Sequence, residues 1–187
     1  MPTPDFPSSS SFSSPPQSPS ASPVGVAKDT QQQLEIAMVK KIVEQLKRIS
    51  RHQTNDHEKA SVFIPPEDLT IPLQDYIHLL VTLANLWVKD KFGCESTGIR
   101  CAVLAMEYLR RVRQHFNPRN IYGYFSAAFL LAMKFSEDDE ILNTDYSKVS
   151  GFSLDAINTM ECEFCEEIQW NFLITAEEFD SQLKVLE

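Results

Sequence analysis

The sequence predicts an all-α fold. Apolar residues recur at spacings of three and four in five separate segments, which is the period of an amphipathic helix. No stretch alternates apolar and polar residues as a half-buried β-strand would, and prolines fall between the periodic segments rather than inside them. With 187 residues, the chain suits one compact domain of about 100–150 residues together with extensions.

Residues 1–28 are predicted to form a disordered tail. Ser and Pro dominate this stretch, and its few core-forming side chains cannot offset the entropy lost on ordering. Three serines in the tail precede proline and are possible targets of a proline-directed kinase: Ser14, Ser18 and Ser22. Such dipeptides also arise by chance in any Ser/Pro-rich segment, which is the simpler explanation.

Residues 29–52 are predicted to form an amphipathic helix. Its opposite face carries basic residues, including Lys40 and Lys47, and is typical of a solvated surface. Residues 53–70 break the helical period and contain two consecutive prolines, which indicates a linker. The apolar stripe of the helix consists of Leu34, Met38, Ile42, Leu46 and Ile49.

Four further helices are predicted in the remainder of the chain. The first is predicted to start just after Pro72, because proline favours a helix start. Ser153 is the predicted N-cap of the last. A short helical turn is expected between the third and the last. The approximate predicted ranges are 73–88, 96–115, 120–135 and 153–168, with the short turn at 145–149.

The helix over residues 120–135 is predicted to lie at the centre of the bundle. Its sequence "IYGYFSAAFLLAMKF" places apolar or small residues at every angle around the axis, so that other helices must surround it. Lys134 falls in its last turn. A cation is favoured there by the exposed carbonyls and can reach outward on its aliphatic stem.

Composition limits the classes of function. With 26 acidic and 17 basic side chains, the formal net charge is −9, which argues against broad binding to nucleic acid or anionic lipid. No stretch approaches the roughly 20 apolar residues of a membrane span, and no signal peptide is recognised. We therefore expect an intracellular protein of the cytoplasm or nucleus.

No catalytic or metal-binding motif is recognised. The chain contains no G-x-S-x-G, Walker or H-E-x-x-H sequence. Cys162 and Cys165 form a single C-x-x-C without a second pair or a histidine at ligand spacing, which indicates packed thiols. The acidic run over residues 137–140 is typical of a solvated loop or of a contact with basic residues of a partner. We expect neither an enzyme nor a bound metal or cofactor.

Three segments resemble the cyclin box, the five-helix module that binds and activates cyclin-dependent kinases. They are "EYLRRV", "AAFLLAMKFSEDD" and "MECEFCEEIQWNFLIT", and the resemblance covers about residues 71–179 of a domain predicted to span residues 71–187. The phosphate-signalling (P-type) cyclins and the plant U-type cyclins are the most similar groups. Their pattern of K-F, two acids, N and Y-x-K-V-G-G is matched by Lys134, Phe135, Glu137, Asp138, Asn143, Tyr146, Lys148, Val149 and Gly151, while Ser150 replaces the first glycine.

The resemblance implies a binding site as well as a fold. In cyclins, a lysine that ends the third box helix and a glutamate in the fifth contact backbone near the regulatory C-helix of the kinase. Lys134 and Glu161 hold these positions. The chain would then be the noncatalytic regulatory subunit in a heterodimer with a serine/threonine kinase. Four apolar residues are candidates for the rest of the surface, with burial in the core as the alternative for each: Phe129, Met133, Met160 and Phe164.

Departures from the family pattern occur at one charged pair and in one loop. Leu79 stands where the P-type arginine would fall, and Arg110 stands at the position of its aspartate partner, so that both members of the pair have changed. Arg111 matches the family's arginine. Glu140 and Ile141 replace a pair of aromatic residues that is usual in the P-type group.

Two alternatives to kinase activation stay open at this point. The first is a cyclin-fold scaffold that binds a kinase or another protein without activating it. The second is a cyclin-fold transcription module associated with nucleic acid, because a fold does not determine a function. The negative net charge argues against the second alternative.

Overall fold

A computed structural model describes residues 23–50, 62–87, 97–112, 117–137 and 140–186. Over these ranges the chain forms seven α-helices and no strand, so that the all-α prediction is confirmed. None of the described helices is long and apolar enough to cross a membrane. The helices are α1 (Pro23–Ser50), α2 (Leu73–Trp87), α3 (Thr97–Arg111), α4 (Ile121–Ser136), α5 (Asn143–Ser150), α6 (Leu154–Glu167) and α7 (Ala176–Leu186).

α1 begins at Pro23, earlier than the predicted start at residue 29. Proline is favoured at the first position of a helix, because its ring fixes φ near the helical value and its missing N–H would have no partner there. The predicted tail is therefore too long at its C-terminal end. The rest of the tail lies outside the described residues, together with the predicted phosphorylation sites Ser14, Ser18 and Ser22.

The apolar stripe of α1 packs into the core only along its second half. Met38 and Leu46 are 6% and 0% exposed, whereas Leu34 is 52% exposed. α1 contacts α2, α3 and α7. Its contact with α7 includes a hydrogen bond of 3.2 Å from Nε2 of Gln45 to the carbonyl oxygen of Val185.

The end of the predicted linker packs into the core. Phe63 is buried, and its ring stacks on that of Tyr124 with 3.9 Å between centroids. The backbone of Phe63 also crosses α4 at Gly123, where a Cβ atom would lie 2.2 Å from the Phe63 carbonyl oxygen. Only glycine permits so close an approach, so that Gly123 fixes where this segment crosses the central helix.

α4 lies at the centre of the helical bundle, as predicted. Twelve of its sixteen residues are buried, and α3 and α6 pack against it. Burial of a phenylalanine or leucine side chain contributes about 1.5–3 kcal/mol. Fully buried side chains such as Phe129 and Leu130 therefore make this helix a major source of the stability of the fold.

Two buried tyrosine hydroxyls fix the short helix α5. Oη of Tyr146 donates to the carbonyl oxygen of Ser126 on α4 at 3.0 Å, and Oη of Tyr76 on α2 donates to that of Ser150 at 2.9 Å. α5 ends at Ser150 and is followed by the C-cap Gly151, whose φ of 77° lies in the left-handed region that favours glycine. An eight-residue helix has little stability alone. These contacts therefore determine its position beside α6.

α7 packs against α3 and α1 at the end of the chain. It starts with a capping box, in which the N–H of Glu178 donates to Oγ1 of Thr175 at 3.2 Å and the N–H of Thr175 donates to Oε2 of Glu178 at 2.9 Å. Leu186, its last residue, is fully buried. The sequence prediction contains no helix over these residues.

Candidate partner-binding site

Lys134 and Glu161 form an ion pair at the surface between α4 and α6. Nζ of Lys134 lies 2.6 Å from Oε1 of Glu161, and the two side chains are 29% and 21% exposed. Lys134 belongs to the last turn of α4, and Glu161 lies about two turns into α6 after the N-cap Ser153. The fold thus brings together the two residues that the family resemblance singles out.

Asn143 of α5 is the third member of this charged site. Its Nδ2 donates to Oε2 of Glu161 at 2.6 Å and to Oδ1 of Asn158 at 2.8 Å. The two oxygens of Glu161 therefore accept hydrogen bonds from two different helices. Oδ1 of Asn143 is buried and accepts no hydrogen bond from any residue that the structure describes. We refer to Lys134, Asn143 and Glu161 as the charged site.

Sequence reasoning missed the role of Asn143. The family pattern contains this asparagine, which is the only signal that could have drawn attention to it. Its contact with Glu161 joins residues 18 positions apart. That contact forms because the buried hydroxyl of Tyr146 holds α5 in place, a tertiary interaction that no local pattern predicts.

An exposed apolar surface adjoins the charged site along the chain, since Phe135 directly follows Lys134. Phe135, Trp170 and Leu173 are 60%, 67% and 72% exposed. The ring of Phe172 joins them, with its centroid 5.3 Å from that of Phe135 and 6.5 Å from that of Trp170. Exposed apolar clusters of this kind mark protein interaction sites. We call Phe135, Trp170, Phe172 and Leu173 the aromatic surface.

The turn after α6 presents Trp170 to solvent. Gln169 and Trp170 have φ angles of 54° and 57°, in the left-handed region that non-glycine residues rarely occupy. Arg111 of α3 stabilises the segment that follows, because its guanidinium donates to the carbonyl oxygens of Asn171 and Leu173. The position of the aromatic surface is therefore set partly by α3.

A buried carboxylate pairs with the two arginines at the end of α3. Glu107 is 3% exposed, and its Oε1 lies 2.6 Å from Nη2 of Arg110 and 3.7 Å from Nε of Arg111. Leu79, at the other changed position of the family pattern, is a partly exposed apolar residue. The replacements at positions 79 and 110 therefore leave no buried charge without a partner among the described residues, which agrees with the rule that buried ions are paired.

Four apolar residues that are candidates for the binding surface lie in the core, which is the alternative that the sequence left open for each of them. Phe129, Met160 and Phe164 are 0% exposed and Met133 is 1% exposed. A side chain without exposed area can contact a partner only if the core opens, and we correct their assignment accordingly. Core and interface residues of a helix share the same period in the sequence, so that periodicity does not separate them. The large apolar side chains of the aromatic surface are exposed instead.

The buried cysteines near the site are weak nucleophiles. Burial raises the pKa of the Cys165 thiol to about 11, and the nearby carboxylate of Glu161 adds to this effect. Burial also raises the pKa of Cys101 to about 11. Such thiols are protonated at neutral pH and react slowly. Among the described residues, no group of three or more histidine, cysteine or acidic side chains could hold a metal ion.

A comparison with protein families shows where this chain belongs. The family model described as "Cyclin" matches residues 25–172. The chain belongs to the cyclin family. The match begins within α1, before the predicted start of the box at residue 71, and α1 packs into the same core as the other helices. All three residues of the charged site lie within the range that the cyclin model matches.

Two curated relatives from Arabidopsis thaliana place this cyclin close to the U-type group. Cyclin-U4-1 is 24% identical over 144 residues, which cover 74% of this chain and 66% of the relative. Cyclin-U4-3 is 27% identical over 145 residues, which cover 73% of this chain and 60% of the relative. The chain thus spans less than two thirds of the length of either relative. No solved structure matches the chain significantly.

Proposed function

We propose that this cyclin is the regulatory subunit of a cyclin-dependent protein kinase, which it binds as a heterodimer and activates. The observation that carries the proposal is the partly exposed Lys134–Glu161 pair of a cyclin domain, together with the aromatic surface that begins at the next residue of α4, Phe135. The kinase would bind ATP and magnesium and perform the catalysis. The proposal places the protein in the cytoplasm or nucleus together with its kinase.

The charged site has hydrogen-bonding capacity left for a partner. A lysine ammonium has three donors, and within the described part of the chain Lys134 uses one of them for Glu161. Each oxygen of Glu161 accepts one bond and has a further lone pair. Backbone carbonyl and amide groups of a kinase helix can use these positions. Truncating one member of a charged pair at a desolvated interface lowers affinity by about 2–5 kcal/mol.

The aromatic surface provides the apolar anchor that such an interface requires. Tryptophan and other large side chains dominate the binding energy of protein interfaces, while the surrounding contacts exclude water. Trp170 and Phe135 are both more than half exposed, so that a partner can bury them without opening the core. The charged site would then fix the orientation of the partner on this anchor.

Activation follows if the kinase binds only with its C-helix in the inward position. In a protein kinase, the Lys–Glu ion pair made by that helix must be in place for phosphoryl transfer. A ligand that prefers one of two conformations shifts the population toward it by the difference in affinity. To raise an active population from 1% to 99%, this difference has to be about 5.5 kcal/mol. The charged site and the aromatic surface together can supply that amount.

Co-purification with the kinase, followed by a kinase assay on the captured complex, tests the proposal. We expect the double variant Lys134→Ala/Glu161→Ala to lose both the bound kinase and its activity. The matched control is Asp145→Ala/Lys148→Ala, which removes an ion pair of α5 whose side chains are far more exposed. If the Lys134/Glu161 variant retains the kinase as fully as the unchanged chain does, the interface assignment is wrong.

The kinase assay on the captured complex and a gel-shift assay with DNA separate activation from the two alternatives. A kinase that is recovered but does not phosphorylate a generic substrate would indicate a scaffold. A transcription module associated with nucleic acid would shift DNA in a gel at near-physiological salt, an outcome that the net charge of −9 opposes.

A further inference from the structure

Ser136 ends α4, two residues after Lys134. The residue is exposed, and its Oγ donates to the carbonyl oxygen of Ala132 at 2.7 Å and lies 3.1 Å from Oε1 of Glu137. Four consecutive acidic residues follow it in the sequence, over residues 137–140. The proposed binding of a kinase uses neither this hydroxyl nor the acidic run.

We propose that Ser136 is phosphorylated by an acid-directed serine/threonine kinase, and that the phosphate weakens binding of the partner kinase. A kinase of this class has a basic peptide-binding cleft, which is complementary in charge to a serine followed by carboxylates. The chain leaves the helix directly after Ser136, because Glu137 has an extended conformation with φ of −113° and ψ of 145°. Extended segments are a common form in which peptides are recognised.

The modification is a transfer of the γ-phosphoryl group of MgATP. Oγ of Ser136 attacks the γ-phosphorus, the bond from that phosphorus to the β,γ-bridging oxygen breaks, and ADP leaves. The catalytic aspartate of the modifying kinase takes the hydroxyl proton. The product lacks the hydroxyl hydrogen that Ser136 donates to Ala132. For the hydroxyl to enter an active site, the last turn of α4 has to open, and Oγ has to leave the carbonyl oxygen of Ala132 and Sγ of Cys101, which lies 3.6 Å away.

The surroundings of Ser136 disfavour a phosphate in the folded helix. A phosphoserine carries a charge of about −1.5 to −2, and at a helix C-terminus it lies beside the exposed carbonyls. The Glu137 carboxylate, 3.1 Å from Oγ, adds a like charge. The guanidinium of Arg100 pairs with Glu137 in this cluster. We expect the last turn of α4 to open and Lys134 to be drawn from Glu161 toward the phosphate.

The weakened binding rests on the proposed function, since the turn that opens carries Lys134 and Phe135. Both residues would lose the orientation in which they face a kinase. The modification itself does not depend on that function, because it requires only an exposed serine at a helix end and the acidic sequence after it. The two parts of the proposal can therefore fail separately.

Two other hydroxyl residues serve as comparisons in the same chain. Thr175 also precedes acidic residues, but its Oγ1 accepts the N–H of Glu178 in the capping box of α7. Ser147 lies on α5 and is followed by Lys148 instead of an acid. We expect neither to be modified at a rate comparable with that of Ser136.

The first arm of the test measures the modification. The full chain is incubated with MgATP and a purified acid-directed kinase of the casein kinase 2 type, and the sites are identified by mass spectrometry. We expect one phosphate at Ser136, none at that position in Ser136→Ala, and an incorporation at least tenfold slower in Glu137→Gln/Glu140→Gln. Phosphate at Thr175 or Ser147 instead, or no incorporation at Ser136, would overturn the proposal.

The second arm measures the effect on the partner. Affinity for the cyclin-dependent kinase is expected to fall at least tenfold on phosphorylation and in Ser136→Asp. Ser136→Ala, which loses the hydroxyl without gaining charge, and the control Ser147→Asp should stay within threefold of the unchanged chain. Unchanged affinity of the phosphorylated chain overturns the regulatory part. If the unmodified chain binds no kinase, the proposed function fails, while the first arm still decides the modification.

Discussion

Replacing Lys134 with methionine, Glu161 with glutamine, and both together gives a double-mutant cycle for the ion pair. Methionine retains most of the aliphatic length of lysine. Glutamine retains the shape of glutamate and can still accept the hydrogen bond from Asn143. The cycle therefore removes charge with little change in packing, and it can be measured both for folding and for binding.

The exposure of the pair predicts different magnitudes for the two processes. In the free chain the side chains of Lys134 and Glu161 are 29% and 21% exposed, and solvent screens their attraction. A pair in such a setting contributes about 0.2–1 kcal/mol to folding. Within a complex, water is excluded, and loss of one partner costs about 2–5 kcal/mol. Since about 1.4 kcal/mol is a factor of ten, each single variant should weaken kinase binding by roughly 30-fold or more.

Urea unfolding of the free chain measures the folding term, and isothermal titration calorimetry with purified kinase measures the binding term. We expect a small decrease in the free energy of unfolding and a large decrease in affinity. The reverse result, a loss of several kcal/mol in stability with affinity unchanged, would show that the pair only holds α4 against α6. The interface assignment of both residues would then be withdrawn.

Three further predictions concern other parts of the molecule. Gly123→Ala would press a methyl group against the carbonyl oxygen of Phe63, so we expect a loss of about 1–3 kcal/mol in urea unfolding; unchanged stability would contradict the close approach. Trp170→Ala should weaken kinase binding by about 2 kcal/mol, measured by calorimetry, while the melting temperature stays unchanged because Trp170 is 67% exposed. Burial raises the pKa of both Cys101 and Cys165 to about 11, so the folded state favours protonated thiols more strongly than the unfolded chain does. Stability should therefore stay level up to about pH 8.5 and fall as the pH rises toward 11, and a Cys101→Ala/Cys165→Ala variant should show a shallower decline.

Local signals in the sequence predict much of the fold. α6 begins after Ser153, whose Oγ accepts the N–H of Ala156 at 3.2 Å as its N-cap role requires. The all-round apolar pattern of α4 predicts its central position, because a helix without a polar face must be surrounded. α1 starts earlier than predicted, since Pro23 is a helix-start signal within a Ser/Pro-rich composition that argues for disorder.

The candidate site depends on tertiary contacts that the sequence shows only in part. The family resemblance identifies Lys134 and Glu161, whereas periodicity alone does not separate Phe129, which is buried, from Phe135 on the same helix, which is exposed. The exposure of Trp170 follows from a left-handed turn at Gln169 and Trp170. The sequence has no glycine there that would have predicted this turn. Asn143 reaches the site only because a distant buried hydroxyl positions its helix.

The match to the cyclin family model ends at residue 172, whereas packing against the same core continues to the last described helix. Oε2 of Glu178 on α7 lies 3.6 Å from Nη2 of Arg111, and Leu186 is fully buried. Nε2 of Gln45 on α1 donates to the carbonyl oxygen of Val185 on α7. A fragment that ends at residue 172 would lack α7 and would therefore expose the surfaces of α1 and α3 that pack against it. It would also remove one of the carboxylates around the arginine that supports the aromatic surface. In this cyclin, the region that the family model matches is therefore shorter than the packed core.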